Sequence, residues 1–151
     1  MYTKTASRHV HLSLTFMWVG LALTLLATVV PFLAPQVIED HIRDSYPGYS
    51  AGELDDAVNG WLMIIGMLGG LAVVGWGVSI WATLRASRPK LWVSLMGGLG
   101  IALFLTAALT PEESGDVGLA PAYGGLLVLP CIAGIAAVTL VWKASAPTTS
   151  S

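Results

Sequence analysis

Charge is what this chain has least of. Its 151 residues include seven lysines and arginines and nine aspartates and glutamates, 11% in all, beside 55% hydrophobic residues. A soluble domain carries about 25% charged residues, so an ordinary water-facing surface is excluded. Cysteine is nearly missing as well. The single Cys131 cannot close an intrachain disulfide, and there is no CxxC pair for thiol exchange. Asn59 is the only asparagine. No run of bases is present, so nucleic acid is not an expected partner.

The charge that is present is sorted. Glu39, Asp40, Asp44, Glu53, Asp55, Asp56, Glu112, Glu113 and Asp116 all lie within 36–58 or 111–120. Lys4, Arg8, Arg85, Arg88, Lys90 and Lys143 lie outside those segments, and Arg43 is the exception. Between them run apolar stretches at about 12–34, 59–84, 91–109 and 121–142. As a helix the first would rise about 34 Å, against a hydrocarbon core of roughly 30 Å. It is too long for a cleaved signal peptide and lacks an A-x-A site, so it reads as an uncleaved signal-anchor. Bases stay on the cytoplasmic side of a membrane. The expected fold is therefore all-α: a four-helix transmembrane bundle in one domain (1–143), multi-pass in the cell membrane. Both termini would be cytoplasmic, and 144–151 would form a disordered tail.

The first outer loop carries local signals. Gln36–Ser45 mixes Val37, Ile38 and Ile42 with charges at helical spacing, which predicts a short interfacial helix. Tyr46-Pro47-Gly48-Tyr49 predicts a turn. Ser50 and Glu53 have the spacing of a capping box, with Asp55 and Asp56 in the turns where negative charge complements the helix dipole. Trp81, Trp92 and Trp142 fall at the inner interface, and Trp61 and Tyr123 at the outer one, as amphipathic rings should.

Small residues recur every four positions or so on each span. Gly20, Thr24 and Thr28 lie on the first, and Gly66, Gly70 and Gly77 on the second. Ser94, Gly98, Ala102 and Thr106 follow on the third, and Gly124, Cys131 and Gly134 on the fourth. Lipid tails give helices no hydrophobic reason to associate, so close backbone approach supplies the packing. The stripes read as packing within one bundle, with a homodimer interface as the alternative. Asn59, counted onto the second stripe, is expected to bond a neighbouring helix, with a binding vestibule beside Asp55 and Asp56 as the alternative. No charge lies within a span, which weighs against a proton-coupled carrier. Hydroxyls such as Thr24, Thr28 and Ser79 can bond back to their own helices.

Chemistry-bearing residues are sparse. His9 and His11 point apart on a helix and have no histidine partner on another span. His41 lies among loop acids, where a zinc site is conceivable but a plain loop residue is the simpler reading. Glu112, Glu113 and Asp116 surround a glycine without the ligand ladder of an EF-hand. With Asp55 and Asp56 they are expected to form a diffuse, cation-attracting outer surface. Cys131 follows Pro130, which predicts a kink, and nothing basic lies near to activate the thiol. No cofactor, metal or catalytic residue is assigned.

The layout, with Tyr46-Pro47 and the Ser50-x-x-Glu53-Leu54-Asp55 helix start, resembles uncharacterised small four-span membrane proteins of high-GC Gram-positive bacteria. That resemblance implies a cell-membrane location and no activity. The expected function is a non-enzymatic accessory or scaffolding protein of the bacterial envelope, meeting the lipid bilayer and another membrane protein or itself. The alternative is a small-solute or ion-permeation protein acting as an oligomer. A polar cavity between the helices would favour permeation; a dry core with an exposed small-residue groove would favour scaffolding.

The topology has a direct test. Cysteines placed at Ser50 and Ser114 in a Cys131→Ser background are expected to react with an impermeant thiol reagent on intact cells, and one at Ser87 is not. Labelling at Ser87 with silence at Ser114 would overturn the orientation.

Overall fold

The structure, a computed structural model, describes residues 2–109 and 121–144, with side chains at 8–104, 106 and 123–144. The described residues form the helices α1 (Tyr2–Leu33), α2 (Gln36–Ser45), α3 (Ala51–Arg85), α4 (Pro89–Leu109) and α5 (Pro121–Ala144), with no strand among them. The second acidic loop, with Glu112, Glu113 and Asp116, lies outside the described residues, as does the tail beyond Ala144.

Helix α1 begins at Tyr2, so most of the basic arm is continuous with the first span. Nothing in that segment breaks a helix, since neither Gly nor Pro occurs before Gly20. The helix stops before Pro35, which has no N–H to give and restricts the residue preceding it. Helix α2 follows at once. Ile38 and Ile42, four apart, share its buried face. Arg43 pairs with Glu39 on the exposed side.

Helix α3 starts where the capping box places it. Ser50 is extended at φ −70° and ψ 164°, and its Oγ accepts from the Glu53 N–H at 3.4 Å. The Glu53 carboxylate in turn accepts from the Ser50 N–H at 2.8 Å. At 35 residues this helix is about 52 Å long, well beyond a hydrocarbon core of about 30 Å. Trp61 and Trp81 are about 30 Å apart along it. The turns before Trp61 therefore extend past the apolar part.

The outer surface, unlike that of a water-soluble protein, is apolar. Phe16, Trp18, Leu26, Met63, Leu71, Leu95 and Ile132 are exposed, while Ser13, Thr24 and Ser79 are buried beside apolar residues such as Met17, Ile65 and Ile80. A broad exposed apolar belt on a monomer marks a surface not meant for water. Three helical stretches are long and apolar enough to cross a membrane: Arg8–Leu33, Ala51–Arg85 and Tyr123–Ala144. Pro89–Phe104 of α4 is a shorter apolar one. The chain has the build of a multi-pass membrane protein.

The four long helices pack in a closed ring. Helix α1 touches α3 and α5, and α4 touches the same two from the other side. Ile38, Ile42, Leu54, Ile65 and Tyr123 form a cluster at the end carrying α2. Met17, Ile80, Val93, Ala137 and Val141 form another toward the α3–α4 turn. Cross-helix hydrogen bonds fasten the ring. Ser13 Oγ donates to the Ala137 carbonyl at 3.1 Å, and Tyr123 Oη to the Ala34 carbonyl at 2.8 Å. Trp142 Nε1 donates to Ser94 Oγ at 2.9 Å.

The close approaches fall partly on other residues than the expected stripes. A methyl group on Gly20 would overlap the Trp76 ring, and one on Gly69 would overlap Thr28. Gly66 approaches Phe32 at 3.2 Å from the position a Cβ would take, and Gly97 approaches Val138 at 3.1 Å. Gly134 meets Trp76 at 3.7 Å. Gly70, Gly77 and Gly98 are exposed, with no atom of the described residues within 4 Å of such a Cβ, and Ala102 is exposed as well. The reason is angular. Each residue turns a helix by about 100°, so choosing Gly70 instead of Gly69 moves the stripe to another side. The inward face of α3 is Ile65, Gly69, Trp76 and Ile80. Asn59 is likewise exposed and bonds no neighbouring helix among the described residues.

Gly20→Ala is expected to cost about 1–3 kcal/mol of stability, because an extra carbon there displaces a packed aromatic ring. Gly70→Ala meets open space and should leave the melting temperature in detergent at or above the parent value. Gly98→Leu and Gly100→Leu should behave alike, although only Gly98 lies on the expected stripe, since both positions are open. Equal melting of the Gly20 and Gly70 variants would remove Gly20 from the contact.

Candidate functional site

Between the two apolar clusters lies a cavity of about 510 Å³. All four long helices line it: Met17, Thr24 and Thr28 of α1, residues from Trp61 to Ser79 of α3, Val93 to Phe104 of α4, and Leu127 to Thr139 of α5. The space follows from glycine. Gly69, Gly75, Gly97, Gly98, Gly100 and Gly134 all border it. Such a volume is typical of small-molecule sites, which run about 300–1,000 Å³.

The polar atoms in its wall are already engaged. Thr24 Oγ1 donates to the Gly20 carbonyl at 2.8 Å, and Thr28 Oγ1 to the Thr24 carbonyl at the same distance. Ser79 Oγ donates to the Gly75 carbonyl at 2.8 Å. Thr139 Oγ1 donates to the Ile135 carbonyl, and Cys131 Sγ points to the Leu127 carbonyl at 3.6 Å. Trp76, deep in its span, donates from Nε1 to Thr24 Oγ1 at 2.9 Å. A buried indole needs such a partner. The wall therefore presents carbon and offers little to water or an ion.

At the α2 end the cavity abuts the cluster of Ile38, Ile42, Leu54, Ile65 and Tyr123, and Trp61, Ile65 and Leu127 belong to both. Helix α2 packs against that cluster through Ile38 and Ile42 and lends no residue to the cavity wall. Near the α3–α4 turn a second cavity of about 420 Å³ is lined by Ser87, Arg88, Pro89, Lys90, Leu91 and Trp142. Lys90 Nζ stands 5.1 Å from the centre of a Trp142 ring, an arrangement that attracts a cation to an aromatic face.

The acids expected at an outer surface are placed in part. Asp55 and Asp56 are exposed near the start of α3; their expected neighbours Glu112, Glu113 and Asp116 lie outside the described residues. Among the described residues no three of His, Cys, Asp and Glu gather as metal ligands. His9 is half-buried, and its Nδ1 is enclosed without a hydrogen-bond partner. Tyr46 and Tyr49 stack 4.7 Å apart across the turn before α3.

Sequence reasoning missed Trp76. Its position supplied a signal: it lies between Trp61 and Trp81, away from both aromatic girdles, so its N–H had to find a partner within the protein. The chain matches no protein-family model, no curated protein and no solved structure.

The Glu53 carboxyl is held below its usual range, first by the Ser50 hydroxyl and then by the Ser50 backbone N–H. A depressed carboxyl adds stability above its unfolded pKa and loses it as pH falls through the folded value. Ser50→Ala is expected to lower stability by about 1 kcal/mol at neutral pH. The gap to the parent should narrow on acidification below the ordinary glutamate range. A gap that does not change with pH would remove the Glu53 carboxylate from the cap.

Proposed function

We propose that the chain is a four-span integral membrane protein of the bacterial cell envelope, with cytoplasmic termini and a non-enzymatic accessory or scaffolding role. One observation carries the scaffolding reading: the interior is apolar, while small residues stand on outward faces. Gly70 and Gly77 of α3 are exposed, and a Cβ on either would meet nothing within 4 Å among the described residues. They share that side of α3 with Met63, Met67 and Val74, also exposed, at spacings of three and four. Small residues at such a seam let another helix approach closely in lipid, where packing drives association. The partner is another membrane protein or a second copy.

The permeation alternative has less support. Water and ions need polar walls or a ring of charge. Here the hydroxyls of the wall serve their own helices, and the wall is mostly carbon.

Cross-linking in native membranes followed by affinity capture tests the reading. One specific partner, or a self-dimer, should be recovered. Gly70→Leu combined with Gly77→Leu should abolish recovery while melting stays unchanged. Recovery of neither, or a partner held equally by the double variant, would overturn it.

A further inference from the structure

The central cavity runs along the helices. On α3 its wall extends from Trp61 to Ser79, which is about 27 Å along a helix axis. A space of that reach can take an extended, flexible chain.

It is also open sideways. Ile64, Leu71 and Val74 of α3 and Gly98, Leu99 and Gly100 of α4 belong to its wall and are exposed. The wall thus passes without a break into the apolar belt that meets acyl chains in a bilayer. An apolar space continuous with hydrocarbon does not hold water well, because water needs two to four polar partners. Here nearly every hydroxyl in the wall is spent on a helix carbonyl or on Trp76. Dispersion contacts along the wall remain, and a chain of methylenes makes them best.

The two ends differ. Toward α2 the slot meets the buried cluster of Ile38, Ile42 and Leu54. Toward the α3–α4 turn it reaches Ser94, whose hydroxyl accepts from Trp142 Nε1. Trp142 also lines the smaller cavity beside Arg88 and Lys90. A lipid tail lying in the slot would have its polar end toward that turn.

We propose that the slot among the four long helices is a binding site for one acyl chain of a bilayer phospholipid, inserted between the helices and held by dispersion. The proposal rests on the chain being embedded in a membrane, and it does not depend on the scaffolding partner. The slot is kept open by glycines that could carry side chains without a clash. A Cβ on Gly75, Gly98 or Gly100 would meet nothing within 4 Å. Gly70 and Gly77 are equally open but do not line the slot. Leucines at the first set fill the slot, and leucines at the second set do not. Cys131, the only cysteine, lies in the wall and serves as a reporter without further engineering.

The test uses the full chain in nanodiscs of a monounsaturated phosphatidylglycerol, then in mild detergent. Native mass spectrometry of the detergent-extracted parent should show one retained phospholipid per chain. Gly75→Leu with Gly98→Leu should lower that retained fraction about tenfold, and Gly70→Leu with Gly77→Leu should leave it unchanged. Cys131 in nanodiscs should be slow toward a charged, water-soluble thiosulfonate. Equal retention in the two double variants would overturn the proposal, as would parent chains free of lipid. Rapid reaction of Cys131 with the charged reagent would mean the slot holds water, and would overturn it too. Melting curves of both double variants verify that they are folded. Extraction of the parent from washed membranes only by detergent separates this result from the membrane reading: a chain released by alkaline carbonate would sink that reading first.

Discussion

A tryptophan wedged between helices organises the interior. Trp76 lies against Gly20 of α1 on one side and Gly134 of α5 on another, and it donates its indole proton to Thr24. In hydrocarbon an unpaired donor costs several kcal/mol, so the ring cannot turn away without leaving its proton unmet. Nor can α1 slide along α3, because the space for the ring exists only where glycine faces it. The hydrogen bond and the close contact thus specify the same register by separate means. Around this point the ring of helices divides into two packed clusters, with the slot between and beside them.

Much of the fold was legible in the sequence, and the physical reasons are local. The Ser50–Glu53 pair set the start of α3 because two unsatisfied backbone groups can be met by those side chains in one way. Ile38 and Ile42, amid charges, marked α2 because a half-wet helix must be amphipathic. Length and charge placement outlined the apolar spans. The packing register was not legible. A membrane helix is apolar toward lipid and apolar toward its neighbours, so periodicity no longer separates inside from outside. The adjacent pair Gly69-Gly70 shows the result: both are small, and only the one facing Thr28 makes the contact. The slot was hidden for a related reason, since an interior space depends on how four helices meet and not on any one of them.

The polar residues of the spans follow one economy throughout. Thr15, Thr24, Thr28, Ser79, Thr83, Thr106 and Thr139 each donate to the carbonyl four residues earlier. Such bonds let a helix carry a hydroxyl through hydrocarbon without a partner helix. Fewer bonds cross between helices: Ser13 to Ala137, Tyr123 to Ala34, Trp76 to Thr24 and Trp142 to Ser94 are the clearest. They are spread from one end of the ring to the other, so they align the helices along their length. Close packing at Gly20, Gly66, Gly69 and Gly97 then draws them together. Alignment and attraction come from different residues.

Helix α3 also acts as a ruler. Trp61 and Trp81 lie about 30 Å apart along it, a separation close to the thickness of a bilayer's hydrocarbon core. A thinner bilayer would force the helix to tilt or the lipid to stretch, and a thicker one would pinch inward around it, at fractions of a kcal/mol per Å. Since α1 and α5 are locked to α3 through Trp76, the whole ring shares that preference. The spacing of two tryptophans thereby corresponds to the bilayer thickness that such a ring of helices would fit with least strain.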